Sequence, residues 1–238
     1  MAKGVKRRTR MYSNYVSTHA ALKSQDGEAR LYLRDVQPHL PQSGNRRVLV
    51  IDLGCGQGHL VRQLSEHGYE GAGVDISPEQ IALAHRAGVS GVQCGDYRDI
   101  LDKNSGNVSA VTATDFLEHF NKDEVLEVFD RARAALAPGG VFIARCPNGA
   151  SPFFGNYQYG DFTHETVLTP QSFAQLSRNA GFGEVRSFSC PPVVHGAKSA
   201  ARRAAWWAAS CLLRAALIAE TGATDHIVTQ NFVGVAWV

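Results

Sequence analysis

Apolar positions along this chain fall into short unbroken runs that alternate with amphipathic stretches. Val48-Leu49-Val50-Ile51, followed by Asp52-Leu53 and a glycine turn, is too short for a helix and reads as a strand buried on both faces. His59 to Glu66 then takes helical spacing, with Leu60, Val61 and Leu64 on one side. The same alternation continues downstream. Strands are expected at Gly71–Asp75, Val89–Cys94, Val108–Thr114 and Val141–Cys146, and a sixth closes over Ser187–Cys190. Helices are expected from Ser77, with Pro78 and Glu79 in the first turn, to Ala87, and from Lys122 to Leu136, with Val125, Val128, Phe129 and Ala132 on the apolar side. Thr169-Pro170 caps another over Gln171–Ala180. An earlier helix, Asp26 to Val36, is stopped by Pro38. Strands spaced by helices in this order make a parallel sheet with right-handed crossovers.

Composition changes this picture little. A chain of 238 residues with 44% hydrophobic and 19% charged residues suits one substantial α/β domain. Residues 1–40 read as a basic tail and lid helix, and 41–238 as the main domain with an inserted helical segment at 191–220. The net charge of +2 includes Lys3, Lys6, Arg7, Arg8 and Arg10, and setting those five aside leaves −3, so the body is no nucleic-acid binder. No apolar stretch follows the basic head, so it is not a secretory signal. Five scattered cysteines without a C-x-x-C pair point to reduced thiols and a cytoplasmic location, and against zinc.

The strand ends carry the candidate chemistry. Gly54, Gly56 and Gly58 follow Asp52 as D-x-G-x-G-x-G; a dinucleotide fingerprint would want its third glycine at 59, where His59 stands. Asp52, Asp75, Asp96 and Asp115 each close an expected strand, which gathers four carboxylates at the edge where such sheets bind ligands. Asp115, Glu118 and His119 have i, i+3, i+4 spacing, and a long aromatic, glycine-punctuated segment from Pro147 to Leu168 returns to the same edge.

The Asp52–Gly58 stretch resembles motif I of the class I S-adenosylmethionine (SAM) methyltransferases, and the likeness extends over about residues 45–190. It implies an α/β, Rossmann-like seven-stranded sheet of order 3-2-1-4-5-7-6, with helices on both faces and Ile227–Val238 as the antiparallel strand 7. It also implies SAM as cofactor. Asp52 with Gly54, Cys55, Gly56 and Gly58 would hold its methionine part, and Asp75 would accept both ribose hydroxyls. Ile76 would pack on adenine, with Asp96 accepting from the adenine amine beside Tyr97; Asp115 closes the same edge. Leu136 to Gly140 matches the family's turn before strand five. Tyr12 or Tyr15 could serve as lid residues.

Leu117-Glu118-His119 resembles the "LEH" segment of a subgroup that includes ubiquinone-pathway O-methyltransferases and several sugar methyltransferases. That resemblance makes His119 the candidate base for an alcohol nucleophile, with His164 as its rival and Tyr159 and Asp161 facing the acceptor. The ubiquinone-type enzymes place Glu, Glu and His where Asp115, Glu118 and His119 stand and bind magnesium, so these three are the metal alternative to a metal-free site.

The tail, with Arg202, Arg203, Trp206, Trp207 and an apolar helix to Ala219, is similar to methyltransferases of polysaccharide and O-antigen assembly. The helix is too short and too charged to span a membrane, which leaves a peripheral membrane contact through 202–219, packing on the sheet, or a homodimer face. The reading is O-methylation of a sugar or cell-surface glycan precursor in polysaccharide biosynthesis. A quinone or other small phenol is the alternative acceptor, and a SAM-binding regulator without turnover the alternative to catalysis.

Overall fold

The computed structural model describes residues 25–42 and 47–238; Tyr12, Tyr15 and the basic head lie outside them. Seven strands form one sheet in the order β3-β2-β1-β4-β5-β7-β6. They are β1 (Leu49–Leu53), β2 (Glu70–Asp75), β3 (Val92–Cys94), β4 (Val108–Thr114), β5 (Leu136–Pro147), β6 (Glu184–Ser189) and β7 (Asn231–Trp237). β1 lies between β2 and β4, parallel to both, and this central place accounts for its unbroken apolar run. β7 runs antiparallel between β5 and β6.

Helices cover both faces: α1 (Gln25–Leu31), α2 (His59–Glu66), α3 (Pro78–Arg86), α4 (Tyr97–Lys103), α5 (Lys122–Ala135), α6 (Phe154–Gln158), α7 (Pro170–Asn179) and α8 (Ala197–Thr221). Strand alternation divides the core. Ile51 and Leu53 pack with Phe129, Phe142 and Phe173 on one face, and Val50 packs with Tyr32, Val36 and Leu64 on the other. At the β7 crossing the layers meet so closely that a Cβ on Gly234 would lie 2.5 Å from the Phe173 ring.

Several boundaries differ from the sequence expectation for local reasons. β3 starts at Val92 rather than Val89, because the Val89 N–H closes the end of α3 on the Ala84 carbonyl (3.0 Å). Pro138-Gly139-Gly140 is no separate turn: β5 begins at Leu136, pairs with Val108, and shifts register before Val141 meets Ala110. β6 starts and ends earlier, at Glu184 and Ser189, and β7 is shorter, at Asn231–Trp237. The helix after Pro147 (α6) was not expected. Nor was α4, which Asp96 caps through the Arg98 N–H (2.9 Å). α1 passes into a π turn at Tyr32–Val36, which buries Asp35. Of the cysteines, Cys55 and Cys146 are buried and Cys190 half-buried, whereas Cys94 and Cys211 are exposed.

Candidate active site

A cavity of about 300 Å³ opens at the carboxyl ends of β1, β2 and β4, and Asp52, Asp75, Asp96, Asp115 and His119 all line it. The glycine turn forms its floor. Gly54 (φ +69°) and Gly58 (φ +71°) take left-handed backbone, and a Cβ would meet Phe116 at 2.6 Å from Gly54 and Val89 at 2.8 Å from Gly58. Gly56 (φ +52°) differs, since a Cβ there would approach only Gln80, at 4.0 Å. Its open side faces the cavity, as a backbone that approaches a ligand requires. Cys55 lines the cavity too, its thiol packs against Gly73, and burial pushes its pKa up.

Asp75 ties the floor to β2. Its carboxylate accepts from the Gly56 N–H (2.9 Å) and the Ser77 N–H (2.7 Å), which leaves lone pairs for a diol. Burial raises this carboxyl's pKa against the pull of those two bonds. Asp52 lies within β1 rather than at its end, is buried, and accepts from the Thr112 hydroxyl of β4 (2.8 Å). At the other end Ile76 is 44% exposed beside Tyr97, whose ring meets Phe116 and Phe120 edge-on. Asp96 does more than face the cavity. It also accepts from the Arg98 guanidinium (3.0 Å), which bridges to Glu127 on α5 (2.7 Å). These features fit SAM: a glycine floor a side chain would fill, a diol-accepting carboxylate and an apolar shelf.

Asp115 departs from expectation. It takes left-handed backbone (φ +52°) and its carboxylate pairs with Arg145, a buried cation from β5 that also lies 3.4 Å from the buried Asp35. Burial works against the Arg145 charge, but Asp115 and Asp35 outweigh it and raise the guanidinium pKa above its ordinary value. Sequence reading missed Asp35 and Arg145, although one charge inside the apolar run Val141–Cys146 was a visible signal.

The acceptor end is built on the turn Leu117–His119. The Glu118 carbonyl accepts from the N–H groups of Glu165 (2.7 Å) and Thr166 (3.1 Å), which fastens the 161–166 loop onto it. Through this contact His119 Nδ1 lies 2.9 Å from Thr163 Oγ1, and Thr163 Oγ1 lies 2.7 Å from Asp161. A carboxylate only accepts, so the Thr163 hydrogen goes to Asp161 and its oxygen accepts from His119 Nδ1–H. That tautomer places the ring's lone pair on Nε2. Thr163 was not among the expected site residues. Burial works to raise the Asp161 carboxyl, but the Thr163 bonds and the two histidines hold it below its usual value.

His164 sits behind His119 rather than in the cavity lining, with ring centroids 4.8 Å apart, and its Nδ1–H donates to the Gln158 carbonyl (3.2 Å). Tyr159 is 80% exposed and stands outside the cavity lining. The alternative metal set of Asp115, Glu118 and His119 is not brought together, because Asp115 turns to Arg145. Instead, ligand atoms of Glu118, His119 and His164 lie within 4.8 Å of one another. One carboxylate and two imidazoles do not fit magnesium, which wants oxygen donors, so no step is assigned to that ion.

Burial, joined by the His164 ring beside it, lowers the His119 pKa from 6.5 to about 4. The imidazole therefore stays neutral in the fold where the unfolded chain already binds a proton. Its contribution to stability is complete above pH 6.5 and is lost as pH falls from 6.5 towards 4. The acidic limb of the pH–rate profile is correspondingly expected near pH 4–5; a limb at 6.5 would place the base elsewhere.

Residues 25–186 match a family described as "Methyltransferase domain", and the chain belongs to that family. A curated relative, the ubiquinone biosynthesis O-methyltransferase of Xylella fastidiosa, is 29% identical over 168 residues. That alignment takes in 61% of this chain and 64% of the relative, so the chain spans somewhat under two thirds of its length. Among solved structures, a SAM-dependent methyltransferase from Archaeoglobus fulgidus shares the fold with a TM-score of 0.68. It is 19% identical and covers 90% of this chain and 95% of its own. The Haemonchus contortus phosphoethanolamine N-methyltransferase 2 in complex with SAM matches with a TM-score of 0.58. It is 15% identical and covers 95% of this chain and 59% of its own.

Proposed function

We propose that this methyltransferase transfers the methyl group of SAM to a hydroxyl on a small phenolic acceptor of the quinone type. The observation that carries the oxygen chemistry is the Asp161–Thr163–His119 chain, which holds the ring of a cavity-lining histidine and favours the neutral tautomer with its proton on Nδ1. The phenolic class is favoured over a sugar by the ubiquinone-pathway relatives. SAM supplies an activated methyl on a sulfonium. The residues do the rest: Asp75 and the Gly56 backbone orient the cofactor, and His119 Nε2 takes the hydroxyl proton as the oxygen–carbon bond forms and the sulfur–carbon bond breaks. Thr163 is a positioning residue that fixes the ring and its tautomer, and Asp161 steadies the imidazolium.

The test is SAM labelled on its methyl group, added with the purified protein to an extract from cells that lack it. The extract is then split into lipid, nucleotide-sugar and polysaccharide fractions. Label in a phenolic lipid, surviving EDTA, supports the reading. Label in a sugar fraction returns the acceptor to the glycan class, and loss of label with EDTA assigns the Glu118–His119–His164 cluster a metal.

Two substitutions probe the parts separately. Asp75→Ala should raise the Kd for SAM by roughly 10²-fold, the scale of two charge-assisted hydrogen bonds, as read by calorimetry. Thr163→Val should lower kcat by about 10–100-fold with little change in SAM affinity, and Thr163→Ser should restore it. ¹⁵N shifts of the His119 ring report the tautomer directly, which a merely structural role for Thr163 would leave unchanged.

A further inference from the structure

We propose that α8 is an in-plane membrane helix whose outward face lies on an anionic phospholipid leaflet. Its 25 residues face the body through a narrow stripe: Ser199 and Ser210 are buried, and Trp206, Leu213, Arg214 and Leu217 half-buried. Those positions recur at the seven-, four- and three-residue steps of one helix face. On the opposite side Ala201, Ala204, Ala208, Leu212, Ala215 and Ala219 are all exposed and form an uncharged face along most of the helix. Leu212 is 75% and the neighbouring Trp207 68% exposed. A contiguous apolar face of this size marks an interaction surface.

Charge selects the occupant. Lys198 and Arg202 stand at one edge of the apolar face, Arg203 and the half-buried Arg214 lie on the body side, and Glu220 is the one acid in the element. Among the described residues none of these four cations pairs with a carboxylate, and the buried Arg214 Nε finds no acceptor. Arg203 instead holds the Pro192 carbonyl (3.0 Å), which pins the first turns of the helix to the body. Two copies meeting through this face would bring net-positive flanks together, whereas phosphate headgroups would complement them. No helix of the described residues is long and apolar enough to cross a membrane, so the helix lies on the leaflet. On its body side the helix packs against the segment that follows β5. Trp206 meets Phe153 edge-on (centroids 6.2 Å apart), and the segment beginning at Phe153 carries the exposed Tyr159 and Phe162. Interfacial aromatics prefer the headgroup level. This inference stands whichever acceptor the site takes.

The test is co-sedimentation of the full chain with phosphatidylglycerol–phosphatidylcholine vesicles and with phosphatidylcholine alone, read together with tryptophan fluorescence. The wild type should bind the anionic vesicles with a blue shift that Trp207→Ser removes. Leu212→Glu should lower the affinity by about tenfold or more, and so should Lys198→Glu with Arg202→Glu, each cation near an anionic surface being worth roughly fivefold. All variants should keep their helical circular dichroism and SAM affinity, because the changed side chains are exposed. Absent binding, equal binding to both vesicle types, or binding indifferent to Leu212→Glu would overturn the proposal. Self-association that Leu212→Glu abolishes, without vesicle binding, would assign the face to a second copy.

Discussion

His119→Ala is expected to lower kcat by about 10²–10⁴-fold, the range a positioned general base supplies, while the Kd for SAM stays within about threefold. The asymmetry follows from where the ring sits. His119 lies at the acceptor end on the 117–119 turn, whereas the carboxylate and glycine contacts expected to hold SAM come from β1, β2 and the loop between them. Single-turnover rates with bound SAM separate the two effects. Because burial holds the His119 pKa near 4, the residual rate of the variant should also lose the acidic limb seen in the wild type. His164→Ala gives the contrast. It removes a ring that faces His119 from behind, so it should change the pH profile more than the maximal rate. A loss on the 10²–10⁴ scale from His164→Ala alone would exchange the two roles.

Arg145→Met is expected to cost about 3–5 kcal/mol of stability, read as a lowered urea midpoint at unchanged slope. The methionine fills the volume, but it takes a guanidinium contact from both the buried Asp35 and Asp115. Asp35 keeps Arg34 (2.5 Å), whose guanidinium also reaches the Pro191 carbonyl (2.7 Å). Double replacement of Arg145 and Asp115 by apolar residues of similar volume should recover part of the loss, since the carboxylate is then removed together with its cation. The cluster joins the segment before β1 to the strand behind the acceptor site. Loosening it should also widen the cavity and weaken SAM.

These residues show where sequence reading reaches its limit. The strands were legible because doubly buried strands leave apolar runs, their order only through the resemblance to the class I methyltransferases, and the Asp52–Gly58 turn because acid and glycines are adjacent in the chain. α4 was missed because its seven residues are fewer than two helical turns, too few to display a period. The Asp35–Arg145 pair spans 110 positions, and the Thr163–His119 bond 44. A threonine has no chemical signature until folding puts an imidazole on one side and a carboxylate on the other. Asp115 was read with Glu118 and His119 from spacing and from the resemblance to the ubiquinone-type enzymes, but the left-handed turn at Asp115 breaks the helical geometry that spacing assumes.

The placing of β7 also sets a timetable for synthesis. β5 and β6 stay unpaired on their facing edges until residues 231–237 slide between them, and those residues leave the ribosome after α8. Residues enter the nascent chain at about 5–20 per second, so for some seconds the cell holds a sheet with an open β5 edge and a finished α8. A helix able to rest on a leaflet at that moment would keep the half-built protein away from others of its kind.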